Sequence, residues 1–331
     1  MTALRPRFTQ ITISFQDPCT DGPTSNSGLT PSLLLFVGFA LFSCSREATE
    51  PPGARAIATP SATAAPAPAP QELPELADET SSVLSIPSAA LEASAGQFAL
   101  VPFRSAIDAA RSGDVEPTFV YSGAVIEQVG ARSSRVRWLA QQRGSVPNAF
   151  VLPIRRGERA RPGDVVLTNW ASGSGLQRAI VVSAGESESP RVRYLDLPLD
   201  SPTGWGTQED TLPPDTFHVL RTPGELGTTL ACRVATRIQP LIVTQAVNGT
   251  RLALGFSGTL HVVDEKQCRP LPVKPSVRAG QNVFVPWVGS FVAAEVLRVD
   301  DSIGRVAVRY DVGGREQDAS VGFTNVATNL P

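Results

Sequence analysis

The sequence predicts an all-β protein built from four tandem copies of one small, five-stranded barrel. Prolines and glycines number 29 and 27 in 331 residues, which favours short strands and tight turns over long helices. The chain also repeats itself. Each copy has a glycine followed by a strand of alternating apolar residues, and the aligned glycines are Gly96, Gly163, Gly227 and Gly280. Because side chains alternate between the two faces of a strand, each copy can bury one face in a core of its own.

The repeats are clearest at the C-terminal end of the chain. Residues 278–287 align with residues 161–170, and residues 279–287 align with residues 95–103. We predict the repeats to span residues 91–157, 158–222, 223–275 and 276–331, with a helical turn at residues 105–111 of the first. Domains of roughly 60 residues are only marginally stable alone, so neighbouring repeats are expected to pack on one another.

The shared pattern runs Gly-x-x-Val-x-[Val/Leu]-x-Trp, a loop, Ala-x-Val, a turn, and Val-x-Val-x-Tyr-Asp. It resembles the Tudor group of Src-homology-type barrels over residues 91–331. In that group the ends of the first and third strands meet at the barrel mouth, where aromatic side chains form a cage for methylated lysine or arginine. The resemblance therefore implies four tandem Tudor-like barrels with a binding function.

Aromatic residues concentrate in two aligned columns, one at the end of each first strand and one at the end of each third strand. The first column is Phe103, Trp170, Val234 and Trp287, and the second is Trp138, Tyr194, Phe256 and Tyr310. The resemblance implies a ligand pocket in the last repeat, formed by Trp287, Phe291, Tyr310 and Asp311, with Phe291 as a third wall in the connecting loop. A second candidate pocket contains Trp170, Tyr194 and Asp196 but lacks a third ring.

Two plainer interpretations of these side chains remain open. The aromatic rings can simply fill the barrel mouths and stack one repeat on the next, because large rings contribute most of the burial in a small core. The arginines that alternate outward on the third strands, Arg137, Arg193 and Arg309, indicate either a solvated strand face that resists edge pairing or a basic stripe for an anionic polymer.

The N-terminal part contains one apolar run, residues 33–42. Ten residues are too few to span a bilayer but fit the apolar region of a secretion signal. The segment Leu41-Phe42-Ser43-Cys44 resembles the lipobox of bacterial lipoproteins, although Phe42 is larger than usual there. The resemblance implies that residues 1–44 are a leader and that Cys44 carries lipid. The alternative is an ordinary buried strand or helix.

Residues 45–90 are predicted to be a disordered linker. Residues 51–70 alone contain eight alanines and six prolines, a composition that cannot form a packed core. Such a tether would hold a folded region away from a lipid anchor. Ser45 directly after Cys44 indicates, among similar lipoproteins, retention in the outer membrane. The predicted partner is therefore the membrane, through the anchor.

The two remaining cysteines of interest are Cys232 and Cys268, both in the third repeat. Their strands are neighbours in this barrel type, so an exported protein is expected to join them in a disulfide. Two free buried thiols are the alternative. No Cys-x-x-Cys motif exists, and His261 is the only other soft ligand nearby, so no metal site is predicted.

No catalytic constellation is evident. Residues 255–259 miss the nucleophile-elbow pattern, and Gly173-Ser-Gly175 does not continue as a dinucleotide-binding loop, so no cofactor is expected. A net charge of −2 gives no electrostatic case for nucleic acid. The sequence thus predicts a lipid-anchored envelope protein that binds or scaffolds an envelope protein, peptide or polymer. A purely structural spacer and a hydrolase on a β scaffold are the alternatives.

Overall fold

A computed structural model describes residues 90–113, 117–170, 175–184, 188–197, 208–247 and 249–331. The chain divides into two units, Met1–Ala69 and Pro70–Pro331, and every described residue belongs to the second. The predicted leader, Cys44 and the linker as far as residue 89 therefore lie outside the described residues.

The described part is an all-β fold with four small antiparallel sheets, as the sequence predicts. One helix, α1 (Arg104–Ser112), follows the first strand and contains the predicted helical turn. The strands are β1 (Phe98–Pro102), β2 (Tyr121–Val129), β3 (Ser133–Trp138), β4 (Arg143–Pro147), β5 (Leu152–Pro153), β6 (Val165–Asn169), β7 (Leu176–Ser183), β8 (Arg191–Tyr194), β9 (Glu209–Thr211), β10 (Phe217–Leu220), β11 (Thr229–Val234), β12 (Arg237–Val247), β13 (Thr250–Leu254), β14 (Leu260–Asp264), β15 (Cys268–Pro270), β16 (Asn282–Trp287), β17 (Ser290–Asp300), β18 (Arg305–Asp311) and β19 (Glu316–Gly322).

Each sheet has the same topology. Four consecutive strands form an antiparallel meander, and a last strand returns to pair with the first. The orders are β4-β3-β2-β1-β5, β10-β6-β7-β8-β9 and β14-β13-β12-β11-β15. The fourth sheet, β16-β17-β18-β19, is completed by a bridge between Phe284 and Ala327 in place of a fifth strand.

The aligned glycines are the structural signature of the repeat. All four have a left-handed backbone, with φ between 78° and 86°, which a glycine adopts without strain. Each glycine donates its N–H to the carbonyl of the second-strand residue that precedes a β-bulge. The four bonds are Gly96 to Ile126 (2.7 Å), Gly163 to Val181 (2.7 Å), Gly227 to Val243 (2.8 Å) and Gly280 to Val296 (2.8 Å). The same turn thus starts every sheet.

The four sheets lie in a ring. Gly123 of repeat 1 donates its N–H to the Asn169 side chain of repeat 2 (3.2 Å), and Phe119 of repeat 1 donates its N–H to Gly258 of repeat 3 (2.8 Å). Arg305 joins repeat 4 to repeat 2, and β12 packs on β17 between repeats 3 and 4. One apolar core cluster contains side chains from repeats 1, 2 and 3 together, and repeats 2, 3 and 4 each have a further cluster of their own.

This arrangement bears on the predicted architecture. Four small antiparallel sheets in a ring fit the description of a propeller, whereas the sequence pattern predicts four tandem barrels. The all-β fold and its four small sheets are confirmed. Closure of each sheet into a Tudor-like barrel stays a prediction.

The predicted disulfide is confirmed. Cys232 and Cys268 are bonded, and they are directly opposite each other in the pairing of β11 with β15. Closing a chain segment of 36 residues should stabilise the fold by about 3–4 kcal/mol in the chain-entropy treatment. The bond ties the last strand of repeat 3 to its first.

Candidate functional site

The structure brings together two of the four side chains predicted to form the pocket of repeat 4. The ring centroids of Trp287 and Tyr310 are 5.4 Å apart, and the ring planes meet at 49°. Both rings pack on the apolar core of the repeat, and Tyr310 is only 8% exposed. Its hydroxyl donates to Oε1 of Gln317 on the next strand (3.3 Å). The pair therefore closes the end of the core, with Trp287 half-buried at its edge.

Phe291 does not join this pair, and the prediction that it lies in a loop is wrong. Trp287 pairs with Ser290 across the hairpin, so Phe291 is already inside β17, opposite Pro286. Because neighbouring residues of a strand point to opposite faces, its ring lies on the other side of the sheet from Trp287. There it packs with Phe284 and Ile238 against Ala231, at the contact between repeats 3 and 4.

Asp311 also points away from the ring pair. It follows Tyr310 on β18 and is exposed, whereas Tyr310 is buried. Its Oδ1 atom accepts a hydrogen bond from the N–H of Gly314 (3.0 Å), which fixes the turn between β18 and β19. The structure thus offers two rings at the mouth of repeat 4, without the third wall or the carboxylate of a cage.

The second candidate pocket shows the same pattern. Trp170 and Tyr194 meet edge to face, with ring centroids 6.4 Å apart. Tyr194 is fully buried, and its hydroxyl donates to Oδ2 of Asp210 (2.8 Å). In repeat 1 the corresponding Trp138 is 3% exposed and donates its indole N–H to the carbonyl of Pro102 (3.1 Å). The rings of Trp138, Tyr194 and Tyr310 are therefore buried in the cores of their repeats.

Asp196 belongs to a different feature, a buried polar cluster where repeats 2, 3 and 4 meet. Arg178 on β7 donates to both carboxylate oxygens of Asp196, at 2.9 and 2.5 Å, and to Oδ1 of Asn325 in repeat 4 (3.0 Å). The same guanidinium donates to Thr229 in repeat 3. The Arg178 side chain is 3% exposed and that of Asp196 is 15% exposed. We call these four residues the Arg178 cluster.

A second arginine supports the same junction. Arg305 on β18 is 3% exposed and donates to the carbonyls of Tyr194 (2.8 Å) and Leu197 (2.6 Å) in repeat 2. Next to it Gly322 approaches Leu195 so closely that an added Cβ would lie 2.7 Å from the Leu195 carbonyl oxygen. The sequence carried one signal of this junction: Arg178 lies between Leu176 and Ile180 on the buried face of β7.

Repeat 3 departs from the predicted alignment by one residue. The register of β12 with β13 places Gly255, not Phe256, at the position that Tyr310 occupies in repeat 4. The imidazole of His261 fills the space, because a Cβ on Gly255 would lie 2.8 Å from its Nε2 atom. Burial lowers the pKa of His261, which keeps the ring neutral. Phe256 is pushed into the following turn and is 61% exposed.

The outward arginines of the third strands are paired with carboxylates. Arg137 lies 3.5 Å from Glu127, Arg193 contacts Glu209, and Arg309 donates to both oxygens of Asp318, at 2.8 and 3.1 Å. Each pair joins neighbouring strands of one sheet. This geometry favours the solvated strand face over a basic stripe.

One further side-chain contact protects an edge strand. Oε1 of Glu158 is 2.8 Å from Nδ1 of His218, and Oε2 accepts the N–H of Val219 on β10 (2.6 Å). Burial raises the pKa of Glu158, but the hydrogen bonds from His218 and Val219 and the charges of His218 and Arg155 outweigh it and leave the pKa below its usual value of 4.5. The carboxylate thus satisfies a backbone donor at the edge of sheet 2.

The described residues contain no group of three or more His, Cys, Asp or Glu side chains placed to hold a metal ion. Within the same residues, no helix is both long enough and apolar enough to cross a membrane.

No known family model matches the chain, and no curated protein is detectably similar to it in sequence.

Proposed function

We propose that the chain is a lipid-anchored scaffold of the bacterial cell envelope, held at the outer membrane through Cys44 and without catalytic activity. The observation that carries the scaffold role is the Arg178 cluster, which joins three repeats through buried hydrogen bonds. A string of independent binding modules has no need of such a junction. The buried rings of repeats 2 and 4 point the same way, because within the described part of both repeats they form no three-sided aromatic cage.

Two observations support the location. The Cys232–Cys268 bond suits an oxidising compartment, where small exported domains keep disulfides. The segment Leu41–Cys44 and the Ala/Pro-rich linker after it match the arrangement of an acylated cysteine and a tether. Together they favour export followed by lipid attachment.

We also propose that each repeat is a Tudor-like barrel. Its support is the last strand, which pairs with the first in sheets 1 and 3 after a 3-10 turn, at Asn148–Phe150 and Glu265–Gln267. In repeat 4 the turn Phe323–Asn325 precedes the bridge at Ala327. Pairing of the first and last strands curls a sheet upon itself, as in a small closed barrel.

Metabolic labelling with a palmitate analogue tests the anchor. We expect the label on the wild-type chain and on Cys19→Ala, a matched control in the same leader, and its loss from Cys44→Ala. Lipid attaches only to the cysteine at the cleavage site in the lipoprotein pathway that the motif resembles. Equal labelling of all three proteins, or of none, would contradict the anchor.

A further inference from the structure

Charge is distributed unequally around the ring of repeats. Repeats 1 and 3 together contain 14 Lys and Arg residues against 8 Asp and Glu, whereas repeats 2 and 4 contain 11 against 15. The near-zero net charge of the whole chain hides this difference. The sequence alone does not reveal a basic side, because the two basic repeats are not consecutive.

The fold puts the two basic repeats next to each other. Phe119 of repeat 1 bonds to Gly258 of repeat 3, and Leu252 of repeat 3 is buried in the core cluster that repeat 1 dominates. Repeats 2 and 4 are likewise in contact, through Arg305. The ring therefore has a basic half, repeats 1 and 3, and an acidic half, repeats 2 and 4.

Many cations of the basic half are available to a partner. Six of them are exposed and form no ion pair with a described carboxylate: Arg132, Arg156, Arg237, Lys266, Arg269 and Lys274. These cations differ from the third-strand arginines, which form ion pairs with Glu127, Glu209 and Asp318. The unpaired cations are distributed over both repeats, as expected for contact with an extended surface rather than with one small anion.

We propose that the basic half binds the surface of a membrane that contains anionic lipids. This inference rests on the proposed function, which brings the protein close to a membrane. The 46 residues between Cys44 and repeat 1 span at most about 160 Å when extended, so the ring can reach the bilayer that holds its anchor. Tethering raises the effective concentration of lipid, so modest attraction between scattered cations and headgroup phosphates suffices.

The test is vesicle co-sedimentation of the full chain carrying Cys44→Ala, so that lipidation plays no part. Vesicles contain phosphatidylcholine alone or with phosphatidylglycerol. One variant adds Arg132→Gln, Arg237→Gln and Arg269→Gln in the basic half. The matched control adds Arg221→Gln, Arg278→Gln and Arg315→Gln, which are exposed arginines of the acidic half. Both variants lose three charges and keep the same N-terminal segment, so effects of net charge and of that segment cancel.

We expect binding to the anionic vesicles to exceed binding to the neutral ones and to weaken as salt is raised. The basic-half variant should lose at least about fivefold in partitioning, the effect of one basic residue at an anionic surface, and the control less than about twofold. Equal loss in both variants would overturn the proposal, because it would show a net-charge effect only.

Two additions separate the membrane surface from other anions. Inorganic phosphate at constant ionic strength should leave vesicle binding unchanged, and displacement by it would reveal a discrete phosphate site instead. Tighter binding to a soluble anionic polysaccharide than to vesicles would also overturn the proposal. Since every protein in the assay lacks Cys44, a failure here is independent of the labelling result for the anchor.

Discussion

Phe291 and Phe256 show how much the position of one ring depends on strand register. Phe291 is half-buried between repeats 3 and 4, where it packs against Ala231, whereas Phe256 is 61% exposed. Both were expected to contribute to aromatic mouths, and neither does. The energetic consequence of removing each ring should therefore differ sharply.

We predict that Phe291→Ala lowers the free energy of unfolding by roughly 2 kcal/mol, less than the 3–5 kcal/mol of a fully buried phenylalanine because its ring is only partly enclosed. Phe256→Ala, the matched control, should change it by less than about 0.5 kcal/mol. Urea denaturation of both variants and the wild type measures the difference. A larger loss for Phe256 than for Phe291 would contradict the packing described here.

At the scale of the strand, local pattern predicted the strands that follow the aligned glycines and the apolar faces of those strands. The aligned glycines and the first-column residues fall at equivalent positions because the alternation of side chains is a local property. The slip at Gly255 could not be foreseen, since repeat 3 has no Trp or Tyr to fix its register and His261 reaches the space from another strand.

The position of Phe291 was missed for a related reason. Val288 and Gly289 both have positive φ, 43° and 75°, and form a two-residue turn that places Ser290 opposite Trp287. A β-branched valine is rare in that conformation, so the presence of Val288 favoured a loop longer than this two-residue turn. The Arg178 cluster was missed because its members come from three repeats and only tertiary packing brings them together.

The edge strand β10 supplies a test of electrostatics at this scale. The Glu158 carboxylate holds His218 and the Val219 N–H, and its pKa in the folded protein is lowered below 4.5. A lowered pKa means that the charged form stabilises the fold. This contribution is fully present above the pKa of the unfolded chain and disappears as the pH falls through the lower, folded value.

We predict that Glu158→Gln destabilises the protein near neutral pH by about 1–2 kcal/mol, because Gln cannot accept both hydrogen bonds as a carboxylate does. The difference from the wild type should shrink as the pH falls below about 4.5, the usual carboxyl value. Urea denaturation at several pH values measures it. Glu188→Gln, which removes an exposed carboxylate, is the control, and a Glu158→Gln deficit that persists unchanged at low pH would contradict the assignment.

For the whole molecule the question is whether four repeats behave as one body. The largest core cluster spans repeats 1 to 3, and the Arg178 cluster adds repeat 4 through Asn325. Proteins made of repeats that contact only their neighbours can unfold piecewise. A ring in which each repeat contacts at least two others is expected to unfold cooperatively instead.

We predict that Arg178→Met lowers the stability of all repeats together, by about 3–5 kcal/mol, because it leaves the carboxylate of Asp196 buried without its partner. Two reporter proteins measure this, one keeping only Trp138 in repeat 1 and the other only Trp287 in repeat 4, with the remaining tryptophans replaced by Phe. Fluorescence during urea unfolding should give the same midpoint for both reporter proteins. Arg178→Met should lower both midpoints equally, although the described hydrogen bonds of its side chain go to repeats 2, 3 and 4 and not to repeat 1. Arg309→Gln, which opens an exposed ion pair within repeat 4, should leave both midpoints nearly unchanged. A shift confined to Trp287 would instead show that repeat 1 unfolds independently, and the scaffold would then be a chain of separate modules.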